Sequence, residues 1–266
     1  MPPQFLRMLW MELKTVFTRR TGLAVLTVAL SVPVLVLGSI ALIKARAVGL
    51  TVQNTPADQL MQFTAAEAAG WVLRGRNFFV LPLFLLLATG EALASEREAH
   101  TLRELLVRPV PRWSVLAAKF LALLALSGAS LALSLLPGLV GGFALNPEPG
   151  PVIDLLLGYL ASAASDAGLI ALGLMAGTFV RGAGGVVVSV IALLMLDGGA
   201  RGLLWIMDKV NVSWAAQAGG LLPGAALAAW QGWSGGWAWQ PFVGLAALIG
   251  VCLGATLLRL GRMDVP

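Results

Sequence analysis

Long apolar runs separated by short polar stretches dominate the chain. Six of them, Thr21–Ile43, Phe78–Ala94, Val115–Leu136, Val152–Phe179, Gly182–Ala200 and Phe242–Leu260, are apolar on every side rather than along one helical face. Most approach about 20 residues, the length a helix needs to cross a hydrocarbon core of about 30 Å. The pattern predicts six transmembrane helices. The fifth run is rich in glycine and loses its uninterrupted apolar character at Asp197. It either stops there or continues past Arg201 into Leu203–Met207 as a bent, partly interfacial helix.

Two further segments have a different period. Residues 4–20 place Phe5, Leu6, Leu9, Trp10, Leu13, Val16 and Phe17 on one arc, with Arg7, Glu12, Lys14 and Arg19 largely on the rest. That pattern predicts a helix lying in the headgroup plane. Ala45-Arg46-Ala47 resembles a leader-cleavage site, but the apolar run before it is too long for a leader peptide. Between the fifth and sixth runs, residues 202–241 carry Trp205, Trp214, Trp230, Trp233, Trp237 and Trp239, six of the nine tryptophans. Amphipathic rings favour a membrane–water interface. The middle of this segment is too apolar for open water and too short to cross, which predicts an outer, interfacial or re-entrant hairpin turning near Pro223-Gly224.

Composition agrees, with 58% hydrophobic residues and 12% charged. One membrane domain over residues 1–266 is the economical organisation, an all-α integral membrane protein of six spans. The lysines and arginines suggest its orientation. With both termini in the cytoplasm, that side receives Arg7, Lys14, Arg19, Arg20, Arg97, Arg103, Arg108, Arg112, Lys119, Arg181, Arg259 and Arg262. Lys44, Arg46, Arg74, Arg76, Arg201 and Lys209 fall on the other side, four of them flanking the first outer loop. The net charge of +5 suits anionic lipid headgroups. No basic patch interleaved with aromatics points to nucleic acid. Cys252, the single cysteine, excludes an internal disulfide.

One dense block of charge, Ala94–Lys119, separates the second and third runs and holds the only histidine, His100. Leu102, Leu105 and Leu106 share a face opposite His100, Arg103, Glu104 and Arg108, and Pro109 and Pro111 end any helix. Ser95-x-x-Glu98 and Thr101-x-x-Glu104 fit capping boxes, and Glu104 can pair with Arg108 one turn on. A short amphipathic helix is expected, on the cytoplasmic side.

The run E-R-E-A-H-T-L-R-E-L-L-V-R-P-V-P-R at 96–112 resembles the motif before the third span of type-2 ATP-binding-cassette exporter permeases. MELKTVFTRRTG near the start is similar to that family's amphipathic N-terminal helix, and LLRLGRMDV to its closing tail. His100 stands where the family usually has glycine. The resemblance implies a permease subunit of a bacterial-type inner membrane, paired with a second copy or a similar chain around a substrate pathway. It also implies that segment 94–112 docks on two separate ATPase subunits. Glu96, Glu98, Thr101, Leu102, Leu105 and Leu106 are then the coupling-interface candidates, while Arg112 and Lys119 orient the block against headgroups. The same features suit an anchor that conveys ATPase motion to an extracytoplasmic accessory protein. No G-x-x-x-x-G-K-[ST] occurs. The chain is expected to hold no cofactor, ATP and magnesium being bound by the partner.

Within the spans, Asp166 is the candidate for a pathway or packing role, because a charge at mid-span needs a partner, water or a proton. Ser162 and Ser165 lie within reach in sequence. Asp197 is expected at the outer boundary, paired with Arg201. Gly173-x-x-x-Gly177 and Gly250-x-x-x-Gly254 allow close helix packing. A lipid-modifying enzyme is the rival class. Asp197-Gly-Gly-Ala-Arg201 resembles part of a phosphatidyltransferase motif, but it is one residue short and lacks the later aspartates. With one histidine and no nucleophile–base pair, catalysis has few candidates.

Overall fold

A computed structural model describes residues 3–47, 51–52, 55–56, 63–78, 80–98, 111–231 and 240–262. Helix α1, Pro3–Thr18, buries Phe5, Met8 and Val16 and leaves Leu6, Trp10 and Met11 exposed. Phe5 and Met8 pack on Val115 and Ala118. The buried positions recur at helical spacing and include the partly buried Glu12, so this acidic residue belongs to the inward face rather than the polar arc.

Arg19 separates α1 from α2, Arg20–Ala47, the first long apolar helix. Beyond it, Thr51–Val52 and Thr55–Pro56 form a two-residue antiparallel pairing with Thr51 opposite Pro56. The next helical segment begins earlier than Phe78. Helix α3, Ala65–Asn77, starts at a capping box in which the Thr64 hydroxyl accepts from the Glu67 N–H and the Glu67 carboxylate accepts from the Thr64 N–H. Helix α4, Val80–Gly90, follows after a bend of 47°, and its axis continues through a π-helical turn, Glu91–Ser95, into Glu96–Glu98. Arg74, Arg76 and Asn77 lower the hydropathy of α3, but Ala66, Ala69 and Leu73 bury against Leu131, Leu155 and Tyr159.

Helix α5, Arg112–Leu145, has 34 residues and extends at both ends beyond its apolar run. Helices α6, Val152–Gly177, and α7, Gly182–Lys209, follow. The fifth run therefore continues past Asp197 and Arg201 as one helix of 28 residues. Two short helices, α8, Ala215–Gly220, and α9, Pro223–Leu227, and a 3-10 turn, Ala229–Gln231, lead to α10, Gln240–Arg262.

The chain is an all-α, multi-pass membrane protein. Among the described residues, five helices have the length and apolarity to cross a bilayer, and the count rises to six if the bent α3–α4 pair is one span. Contacts at the ends fix their antiparallel order. Near one end Arg112 donates to the Leu260 carbonyl and Arg97 to the Thr178 carbonyl. At the other, Lys44 donates to the Leu145 carbonyl at 2.8 Å and the Ala65 N–H to the Glu148 carbonyl at 2.8 Å.

Helix α6 is the most enclosed, packed by α3, α4, α5 and α10. Small residues set its approach to α4: a Cβ on Gly173 would lie 2.8 Å from Thr89 Cγ2, and one on Gly177 would lie 3.5 Å from Leu93 Cβ. That glycine pair is a packing seam within the chain, where close approach supplies the van der Waals contact that drives helix association in lipid. A Cβ on Gly250 or Gly254 would meet nothing within 4 Å.

Candidate functional site

Three ionic clusters tie the helices together. The first lies at the end of the bundle that carries α1. Lys119, about 10 Å along α5 from its start, is 0% exposed and places Nζ 2.8 Å from Glu12 Oε1 and 2.6 Å from Glu96 Oε2. Arg19 reaches the other oxygen of Glu96 at 2.9 Å and donates to the Glu91 carbonyl at 2.8 Å. The Thr21 hydroxyl donates to Glu91 Oε2 at 2.6 Å. Helices α1, α2 and α5 thus meet the end of α4 through charges largely withdrawn from solvent, of which the fully buried Lys119 is the most costly to lose.

The next residue faces elsewhere. Arg97 donates to the carbonyls of Gly177 and Thr178, groups left without helical partners at the end of α6. Glu98 is exposed and stands over Gly182, whose φ of +71° is a conformation that favours glycine. A Cβ there would lie 3.1 Å from Glu98 Oε2. Of the six coupling candidates, Glu96 therefore lies inside the ion cluster and Glu98 at the surface. Thr101, Leu102, Leu105 and Leu106 lie outside the described residues, as does His100. Lys119 and Arg112 differ from their expected headgroup role. Lys119 is enclosed by carboxylates, and Arg112 caps the end of α10.

The second cluster lies midway along the bundle. Arg76, 0% exposed, donates from Nη2 to Asp166 Oδ2 at 2.6 Å and to the Ser130 hydroxyl at 2.8 Å. Its Nη1 donates to Asn77 Oδ1 at 2.6 Å and to the Ser162 hydroxyl at 3.3 Å. Ser127 donates to the same oxygen of Asp166 at 2.5 Å. A guanidinium and a carboxylate at this depth each need the other, because neither can be solvated by lipid. Arg76 is thus a buried bundle residue rather than a flank of an outer loop. Ser162 serves Arg76 and Asn77, while Ser165 donates to the Ala161 carbonyl at 3.1 Å.

The third cluster holds the Pro223-Gly224 turn of the tryptophan-rich segment, of which Trp233, Trp237 and Trp239 lie outside the described residues. Asp197 is buried, accepting from Arg201 Nε at 2.8 Å and from the Gly224 N–H at 3.0 Å. A Cβ on Gly224 would lie 2.1 Å from Asp197 Oδ2, so only glycine lets this backbone approach. Three residues on, Leu227 reaches inward to α6, where a Cβ on Gly168 would lie 2.9 Å from Leu227 Cδ2. The turn at Pro223-Gly224 is thus packed among α6, α7 and α10. Asp197 anchors it from a buried position on α7, paired with Arg201 as the sequence suggests.

The sequence signals for these partners are weak but real. Thr64-x-x-Glu67 marks the start of α3 and would have placed Arg76 about three turns into a helix instead of a loop. Glu12 falls at i+7 from Phe5, on the buried stripe. No short-range pattern links Lys119 to residues so distant in the chain.

The family model described as ABC-2 family transporter protein matches residues 7–265 of the chain. No curated protein matches it.

Proposed function

The chain belongs to the ABC-2 transporter family, and from that premise we propose that it is the permease subunit of an ATP-driven exporter. Two copies form the substrate pathway, and two separate ATPase subunits bind from the cytoplasm and supply ATP and magnesium. Both termini and the charged block at 94–112 face that side of a bacterial-type inner membrane, and residues 1–266 act as one permease domain.

The observation that carries this reading is the ion cluster at the root of the block. Glu96 is the residue at which the block leaves α4, and its two oxygens hold Arg19, between α1 and α2, and Lys119, on α5. A docking helix needs such a root. Movement of segment 99–110 would otherwise be absorbed by a flexible joint, whereas paired charges held at 2.6–2.9 Å pass displacement to α1 and α5 as packed units. In this reading Leu102, Leu105 and Leu106 are the apolar anchors on the ATPase, Glu98 and Thr101 set the register, and Glu96 holds the joint from behind.

The test is co-expression with the ATPase partner and purification of the complex. Leu102→Asp with Leu105→Asp should abolish co-purification and ATPase stimulation while the permease still folds. An intact complex with unchanged ATPase activity would refute the coupling assignment.

A further inference from the structure

A cavity of about 380 Å³ opens beside α3, lined by Arg74, Asn77, Phe78, Trp230 and Gln231. Its volume falls within the range of about 300–1,000 Å³ typical of small-molecule sites. Its level follows from the packing of α3 along α5. Ala65 lies against Gly142, Ala69 against Gly138, and Arg76 on Ser130. Arg74 therefore sits between the levels of Gly138 and Ser130, where α5 has no charged residue.

Arg74 is exposed and makes no hydrogen bond or ion pair with any described residue. A cation at so apolar a level requires a counter-ion or water. The nearby carboxylate cannot serve, because Asp166 is committed to Arg76 and Ser127. Arg74, Arg76 and Asp166 together leave one positive charge uncompensated. Around it the walls are amphipathic: Phe78 is 86% exposed, Trp230 offers a half-buried ring, and Asn77 and Gln231 supply amides.

We propose that this cavity binds the anionic headgroup of an amphiphile, a phosphate or carboxylate on an apolar tail, with Arg74 as its counter-ion. A guanidinium forms charge-assisted, often bidentate, hydrogen bonds with such groups. The tail lies along Phe78 and Trp230. Asn77, bonded to Arg76 at 2.6 Å and to Ser162 at 2.9 Å, links the occupied cavity to the central ion pair. The site rests on the permease reading only in that such an amphiphile would be the cargo; the binding itself does not depend on it.

The experiment is a native mass-spectrometry titration of the full-length chain, without ATPase, against phosphatidylglycerol, diacylglycerol and inorganic phosphate. Phosphatidylglycerol should bind at least about tenfold more tightly than diacylglycerol, which has the same tails and no anion, the difference expected of one charge-assisted contact. Arg74→Gln should erase that preference, Arg74→Lys should keep most of it, and Trp230→Ala should weaken both lipids. Excess phosphate should leave the lipid bound, and displacement by phosphate alone would overturn the amphiphile in favour of a free anion. Equal binding of the two lipids, or unaltered phosphatidylglycerol affinity in Arg74→Gln, would also overturn the proposal. Because no ATPase is present, failure here leaves the coupling experiment untouched.

Discussion

Neutralising Asp166 should destabilise the bundle far more than removing Asp166 and Arg76 together. At 2.6 Å, Coulomb's law with an effective dielectric near 20 gives about 6 kcal/mol of attraction. Most of that offsets the desolvation of two charges whose side chains are 0% and 7% exposed. Asp166→Asn removes the attraction and leaves the desolvated guanidinium, held only by Ser130, Ser162 and Asn77. The expected loss is about 3–5 kcal/mol, a shift of roughly 100-fold to several thousand-fold in the unfolding equilibrium. Arg76→Met should lose a similar amount by leaving the carboxylate. In Arg76→Met with Asp166→Leu neither charge remains, and stability should return to within about 1–2 kcal/mol of the wild type. Denaturant unfolding in detergent micelles, run as a double-mutant cycle, gives the coupling energy directly. Single variants within about 1 kcal/mol of wild type, or a double variant that loses the sum of both, would refute the reading that each buried charge needs the other. If the fold survives in Asp166→Asn and transport is unaltered, Asp166 is left with its packing role alone.

The other clusters give sharper local outcomes. Lys119→Met leaves Glu12 and Glu96 facing each other and should lower stability by about 3–5 kcal/mol. Arg19→Gln, which removes a partner 30% exposed, should lose about 1 kcal/mol or less; thermal denaturation in detergent compares the two. Gly224→Ala drives a methyl into Asp197, and the turn should be released, read as faster modification of a cysteine introduced at Ala226, which is 4% exposed. Gly142→Ala should separate α3 from α5, because the added Cβ would lie 2.6 Å from the Ala65 carbonyl oxygen, at about 1–3 kcal/mol by the same unfolding assay.

Hydrophobic runs are legible because the bilayer imposes a length and an all-round apolarity, and they locate most of the crossings. They fail where a helix is covered by protein rather than lipid. Helix α3 can carry Glu67, Arg74, Arg76 and Asn77 because Ala66, Ala69 and Leu73 pack inward. Helix α7 can carry Asp197 and Arg201 because Gly224 meets the carboxylate. Asp166 stands out in the sequence, but its partner lies 90 positions away, and only tertiary packing brings Arg76 to it. The same holds for Lys119, which headgroup chemistry could explain until Glu12 and Glu96 are seen to enclose it. Charge at a span is readable as a demand for compensation, whereas the source of that compensation is a property of the fold.

The most direct test of the coupling claim is site-specific photo-crosslinking in cells that express the permease and its ATPase together. A photo-reactive residue replacing Leu105, in the charged block, should crosslink to the ATPase, and one replacing Ile206, at the far end of α7, should not. A crosslink from position 206, or none from position 105 in a complex that co-purifies, would contradict the account.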